Sequence, residues 1–400
     1  MSFLNRLVTF LGLSNPSPSP PPGALLAATI TVPASLGFVP VAVHFDLFAV
    51  LVQLGDATAE EVASAANAQL KPGEPQIGVL LASDTLYIMS GLGLLDQISE
   101  TMFRANAITK HLVSMPSAQH GALHFTTEDL LAAAFTMRKL VATNFAYPFA
   151  DADGPIQHAY KLMGNEALAK EHTYTIMERE GRMESFNEFM VGKFLKYGTF
   201  PSRVQELGYD LASALAPALA PALAPTPSQG EGVVMVDIGG GKGELLLEVQ
   251  SAYPHLRRDQ LVVQEFNAEI ETSLPPDAGS SEAGFTTMEW NYKISPIQPI
   301  HNANIYSLQH ILHNLPDLDA VSLLQKLRKA MGAHSRILII EYAKNRTYTH
   351  LHASMIALYG GRERSSQEWR ALAEVSGLVV GFEKYVEKGE SLVEMRLAEG

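Results

Sequence analysis

The sequence predicts an α/β protein in two unlike halves. A mainly helical N-terminal half precedes an open, mostly parallel sheet that ends in one antiparallel strand. Three observations predict it. Apolar residues recur at helical spacing before residue 214 and in short β-rich runs after residue 232. Those later runs alternate with helical segments, as strand–helix–strand crossovers require. The last two runs, Val379–Val386 and Ser391–Leu397, are joined only by Glu387-Lys388-Gly389-Glu390. A parallel crossover takes about a dozen residues or more, so this pair reads as an antiparallel hairpin.

The elements follow in order. Residues 1–22 combine a short apolar run with a Ser/Pro tract at 15–22. An A-x-A-like cleavage site does not precede the prolines, so a disordered or amphipathic segment is expected rather than a signal peptide. The same prolines interrupt the uncharged stretch from Leu7 to Val43, and no membrane span is expected. Val41–Leu54 reads as an apolar helix. Thr58, with Glu61 three residues on, has the spacing of a capping box. Ile77–Met89 is helical and stops near Gly91. Strands around Leu94–Ile98 and Met102–Ala107 would complete a winged-helix-like unit. Its neutral-to-acidic charge favours packing or dimerisation over DNA. Phe125–Phe145 and Glu166–Phe194 carry further helices.

From Ala214 to Gly232 the chain repeats Ala-Pro-Ala-Leu. Proline every four residues forbids a continuous helix, so this is an Ala/Pro-rich linker or loop insertion. The expected organisation is an N-terminal segment at 1–22, a helical domain at 23–213, the linker at 214–232 and the sheet domain at 233–400. Strands are expected at Val233–Val236, Gln260–Gln264, Asn304–Ser307 and Arg336–Ile340. Helices are expected at Gly243–Ser251, Leu318–Met331 and Ser366–Ser376.

Composition excludes several functions. With 29 Lys and Arg against 42 Asp and Glu, the net charge is −13. Neither nucleic acid nor an anionic membrane suits such a chain. There are no cysteines, so disulfides, thiol catalysis and Cys-ligated metals are out. That fits a reducing compartment, and a cytoplasmic location is expected.

Val233 to Asp237, the glycines at 239, 240, 241 and 243, and the leucines that follow form a strand, a glycine turn and a helix start. The spacing does not complete G-x-G-x-x-G, and Asp237 before the turn would repel a diphosphate. An amino-acid ammonium or a sulfonium suits it better. Glu265 ends the next apolar run, 22 residues after Gly243. A carboxylate there can accept two hydrogen bonds from ribose hydroxyls. Together these features point to a nucleoside-bearing ligand.

Val236-Asp-Ile-Gly-Gly-Gly-Lys-Gly243 resembles the cofactor motif of S-adenosylmethionine-dependent O-methyltransferases of the plant caffeate type and their fungal relatives. Phe186-Asn-Glu-Phe-Met190, His310-Ile-Leu-His313-Asn-Leu-Pro-Asp317, Ile339-Ile-Glu341 and Gly361-Arg-Glu363 resemble further blocks of that family, in order, over roughly residues 23–398. The resemblance implies a Rossmann-like methyltransferase domain, an N-terminal domain that forms a homodimer, and S-adenosyl-L-methionine as cofactor. It implies catalytic roles for His313, Glu341 and Glu363. Asp237, Gly239, Gly241, Glu265, Asn291 and Tyr292 would bind the cofactor. Phe186, Met190, Met355 and Tyr359 would line an apolar substrate pocket. Histidine is the side chain whose ordinary pKa lies nearest neutrality, which suits a base for an acceptor hydroxyl. No carboxylate stands at a convincing ligand spacing from His310 and His313, and no metal is expected.

The chain departs from the family in three places. Asn314 and Leu315 follow His313 where the family has Asp-Trp, Glu265 replaces an Asp, and Asn291 stands for another Asp. The expected activity is methyl transfer to a small phenolic or enolic secondary metabolite. The alternative is a pericyclase of the same fold, catalysing dehydration, Alder-ene or Diels–Alder chemistry with the cofactor bound.

Overall fold

The computed structural model describes residues 21–191, 198–216, 232–266 and 285–398. The expectations for residues 1–20, for most of the 214–232 tract and for the end of the Glu166–Phe194 helix lie outside the described residues. Two compact units are present, Met1–Ser114 and Met115–Gly400.

The first unit begins with helices Pro22–Ile30, Val32–Leu36 and Val39–His44. Each has proline in its first two positions, where the missing N–H is not needed. Pro22, Pro33 and Pro40 therefore start these helices rather than interrupt them. Pro22–His44 spans 23 residues with mean hydropathy 1.8, long and apolar enough by length and composition to cross a membrane. The helix expected over Val41–Leu54 is interrupted at Asp46, whose φ is 51°, and resumes at Leu47–Leu54. Thr58 caps helix Ala59–Gln69 and both arms of the capping box with Glu61 form. Helix Val79–Gly91 follows. Strands β1 (Ala57–Thr58), β2 (Asp96–Gln97) and β3 (Met102–Arg104) form a small antiparallel sheet in the order β1-β3-β2.

The second unit holds a seven-stranded sheet in the order β6-β5-β4-β7-β8-β10-β9. Its strands are β4 (Met235–Ile238), β5 (Leu261–Glu265), β6 (Thr286–Glu289), β7 (Ile305–Gln309), β8 (Arg336–Tyr342), β9 (Leu378–Lys384) and β10 (Glu390–Leu397). β10 runs antiparallel to both β8 and β9, as the short connection requires. β6 was not foreseen; Thr286-Thr-Met-Glu289 is too short and polar to stand out by period. Helices Glu244–Ala252, Asp317–Ala330 and Ser366–Ser376 lie within two residues of their expected bounds.

The core lies on both faces of this sheet. Leu323, Leu324 and Leu327 pack with Ile337, Ile339 and Trp369 on one face. Phe200, Val204 and Leu211 pack with Met235, Leu246 and Leu261 on the other. Helices before the linker thus belong to the sheet unit, and compactness divides the chain between Ser114 and Met115 rather than near 213–233. The expected Phe125–Phe145 helix opens with a wide π turn at Phe125–Asp129 before Leu130–Ala142. The expected Glu166–Phe194 helix breaks into Leu168–Lys170, Thr173–Arg179 and Met183–Val191, with Gly181 at φ 68° between the last two.

Candidate active site

The chain runs from β4 outward to β5 and β6, then crosses to β7 on the other side of β4. Open parallel sheets bind ligands at such a reversal, beyond the carboxyl ends of the strands. The glycine turn leaves β4 there, and Ile311, from the turn after β7, lies against it. A Cβ on Gly239, whose φ is 67°, would collide with the Ile311 side chain. At Gly241, φ 57°, an added Cβ would meet nothing within 4 Å, so this glycine faces open space.

Asp237 is buried on β4, and its carboxylate lies against Gly240, where a Cβ would meet Oδ2. Glu265, at the end of β5, accepts a hydrogen bond from the Gly241 N–H at 2.7 Å. Its carboxyl pKa is raised by burial, against the pull of the Gly241 and Phe266 N–H groups. Asn291 and Tyr292 follow β6, beside Glu265, which pairs with Glu289. Asn291 Oδ1 accepts from the Lys293 N–H at 3.0 Å. Burial, then the charges of Tyr174 and Glu265, push the Tyr292 hydroxyl pKa far up. Asp237, Gly239, Gly241 and Glu265 thus meet at the carboxyl ends of β4 and β5, and Asn291 and Tyr292 follow the neighbouring β6.

The expected catalytic trio also assembles. His313 sits on the short helical turn Leu312–Asn314 after β7. Its Nδ1 is 2.9 Å from Glu363 Oε1, and its backbone N–H donates to Glu341 Oε1 at 3.0 Å. All three side chains are buried, Glu363 completely. Glu341 Oε2 and Glu363 Oε2 have no hydrogen-bond partner among the described residues. Burial raises the Glu341 carboxyl from 4.5 to about 7, the nearby His313 charge opposing. For His313, burial alone would lower the pKa. The charge and hydrogen bond of Glu363 and the charge of Glu341 outweigh it, so the imidazolium is favoured. The three ligand-capable atoms lie within 4.8 Å of one another. Sequence spacing around His310 and His313 did not disclose this donor set, because the carboxylates come from two other segments.

Two residues that sequence reasoning missed hold the trio together. Gly361 lies so close to the backbone of residues 313–315 that any Cβ would overlap the His313 carbonyl. The side chain of Arg364 is buried and donates to Leu312 O at 2.7 Å, Leu315 O at 2.9 Å and Asp317 Oδ1 at 2.8 Å. The Glu363 segment is thereby fastened to the His313 turn. The signal was a fully buried arginine in Gly361-Arg-Glu-Arg364, which sequence alone does not reveal.

The expected substrate residues fall in two adjoining apolar clusters. Phe186 and Met190 pack with Met177, Phe189 and Phe125. Met355 and Tyr359 pack with Ala132, Ile156 and Leu168. Tyr174, also missed, bridges them, with ring centroids 5.5 Å from Phe186 and 5.4 Å from Tyr359. Its hydroxyl accepts from Asn314 Nδ2 at 2.9 Å, which connects the apolar clusters to the residue beside His313.

The chain is similar to several known proteins. Residues 231–379 match the profile of the O-methyltransferase domain. The chain is 49% identical over 383 residues to "O-methyltransferase bfoE" of Aspergillus brasiliensis, covering 95% of this chain and 97% of that protein. This chain belongs to the O-methyltransferase family. A second relative, "O-methyltransferase aunE" of Aspergillus niger, is 45% identical over 397 residues, with 95% and 97% covered. Among solved structures, OxaC superposes with TM-score 0.77 at 17% identity, covering 99% of this chain and 92% of that one. LepI in complex with SAM gives TM-score 0.75 at 19% identity, covering 99% and 93%. The protein is thus an enzyme of the O-methyltransferase family, and S-adenosyl-L-methionine is that family's cofactor.

Proposed function

We propose that this enzyme methylates an oxygen of a small phenolic or enolic secondary metabolite, with His313 as general base. The observation that carries the reading is the buried His313–Glu363 contact, at the crevice where the glycine turn leaves β4. The residues present fit S-adenosyl-L-methionine. Gly241 opens onto space, Glu265 offers a carboxylate suited to ribose hydroxyls, and Asp237 places a negative charge where an ammonium would sit. Gly239, Asn291 and Tyr292 complete that set. When bound, the cofactor supplies a methyl group on a sulfonium, already a strong electrophile with a neutral leaving group.

The chain then has to align the acceptor and take its proton. Glu363 holds Nδ1, leaving Nε2 to accept the hydroxyl proton as the new O–CH3 bond forms and the S–CH3 bond breaks. The proton rests on an imidazolium that Glu363 and Glu341 favour. Phe186, Met190, Met355 and Tyr359 supply an apolar wall against which an aromatic acceptor is oriented. Asn314 keeps a hydrogen-bonding side chain where the family usually carries a charge, and spends it on Tyr174.

The protein is read as a cytoplasmic homodimer joined through its N-terminal unit. Leu26, Ile30, Leu80 and Tyr87 of that unit are 60%, 64%, 75% and 61% exposed, an apolar surface suited to a second copy. The experiment for the reaction uses S-adenosylmethionine labelled in its S-methyl group, with an extract of the host's secondary metabolites. Mass spectrometry is expected to find the label on product oxygen, one S-adenosylhomocysteine released per methyl. A product isomeric with its precursor, formed with the cofactor unconsumed, would establish the pericyclase instead.

A further inference from the structure

A second polar group lies against the same aromatic cluster. His124 ends helix Pro116–His124 and is buried. Its ring lies 5.0 Å from Phe186 and 5.9 Å from Phe189, centroid to centroid. Burying an imidazole among phenylalanines is unfavourable unless its nitrogens are engaged. Nδ1 lies 3.3 Å from Glu128 Oε2, within ion-pair distance but without a hydrogen bond. The π turn Phe125–Asp129 brings Glu128 there; such turns often occur at functional sites. Glu128 also accepts from Arg182 Nε at 2.9 Å and from Thr127 Oγ1 at 2.5 Å. Burial would raise its pKa, but His124, Arg182 and Thr127 together hold it down at about 2. The carboxylate therefore stays ionised beside the Nδ1 edge of the imidazole. Nε2 has no hydrogen bond among the described residues. The cluster is braced from behind, since a Cβ on Gly121 would strike the Phe189 ring.

We propose that His124 is a substrate-binding residue, whose Nε2 accepts a hydrogen bond from a second hydroxyl of the acceptor, remote from the one that is methylated. The path from one end to the other runs His313, Asn314, Tyr174, Phe186, His124. Two aromatic rings, those of Tyr174 and Phe186, stand between Asn314 and His124, and the ligand class that matches such a span is a fused-ring aromatic carrying hydroxyls at both ends. This deepens the reading of the site as a phenolic methyltransferase pocket and rests on it. The role differs from that of His313, because no proton need move at His124.

Binding, rather than turnover, separates this inference from the reaction. Calorimetry with S-adenosylhomocysteine present would compare a dihydroxyanthraquinone, with hydroxyls on opposite outer rings, against its monohydroxy counterpart. Wild type is expected to bind the dihydroxy probe about tenfold or more tightly than the monohydroxy one. His124→Phe, which suits an aromatic cluster, should bind both alike, and His124→Gln, which keeps an acceptor, should recover part of the preference. Wild type that does not discriminate, or His124→Phe that still does, overturns the proposal. If the preference is found and no methyl is transferred, the subsite stands while the proposed reaction fails.

Discussion

At the scale of single residues, the proposed base is subject to two opposing influences on one imidazole. Burial disfavours a charged His313, while Glu363 and Glu341 favour it, and the carboxylates win. A base must be neutral to take a proton, so the acid limb of kcat should lie above pH 6.5, the ordinary histidine value. Glu363→Gln removes the strongest raising influence. Its pH–rate profile should show a lower acid limb together with a smaller maximum; an unmoved limb would detach Glu363 from His313. Stability carries the same sign. Glu341 has its folded pKa raised from 4.5 to about 7, so its contribution is complete below pH 4.5 and lost as pH rises through about 7. His313, also raised, loses its contribution above its ordinary 6.5 in the same direction. Denaturant titration should therefore find Glu341→Gln gaining on wild type as the pH is taken from about 5 to about 8. His313, Glu341 and Glu363 were legible because each stands in a recognisable block. Tyr174 and Arg364 were not, because nothing local marks a tyrosine or arginine whose partners lie far away in sequence.

At the scale of elements, the site depends on how closely segments approach. Gly361 shows this most sharply, since a methyl group there overlaps the backbone of the His313 turn. Gly361→Ala should destabilise the fold by about 1–3 kcal/mol and lower kcat more than it raises KM. Chemical denaturation and initial-rate kinetics read both, and a variant with unchanged kcat would show that the turn position is not critical. Elements with strong local signals were well placed by the sequence, such as the Thr58–Glu61 capping box and helix Ser366–Ser376, capped by Ser365 and Glu368. Those that tertiary packing decides were not. Asp46 breaks an apolar helix by adopting positive φ, and the π turn at Phe125–Asp129 has no periodic signature. β6 is recognisable only by its pairing with β5.

At the scale of the whole molecule, the parallel sheet brings residues 237–241, 265, 291, 313, 341 and 363 to one edge although they span more than a hundred positions. The topology was predictable because a four-residue connection forces the final hairpin; the compact boundary at Ser114 was not, since it depends on which face the middle helices cover. A ligand that binds only the folded enzyme stabilises it, by about 2.7 kcal/mol at a hundred times its Kd. S-adenosylhomocysteine should raise the melting temperature of wild type, and Glu265→Ala should remove most of that rise. An undiminished rise would place the adenosyl group elsewhere. The most direct measurement is methyl transfer by His313→Ala beside wild type, with cofactor binding measured in parallel. The variant should bind S-adenosylmethionine as wild type does and release S-adenosylhomocysteine about 10²–10⁴ times more slowly in the presence of acceptor. Release at the wild-type rate would contradict His313 as the base.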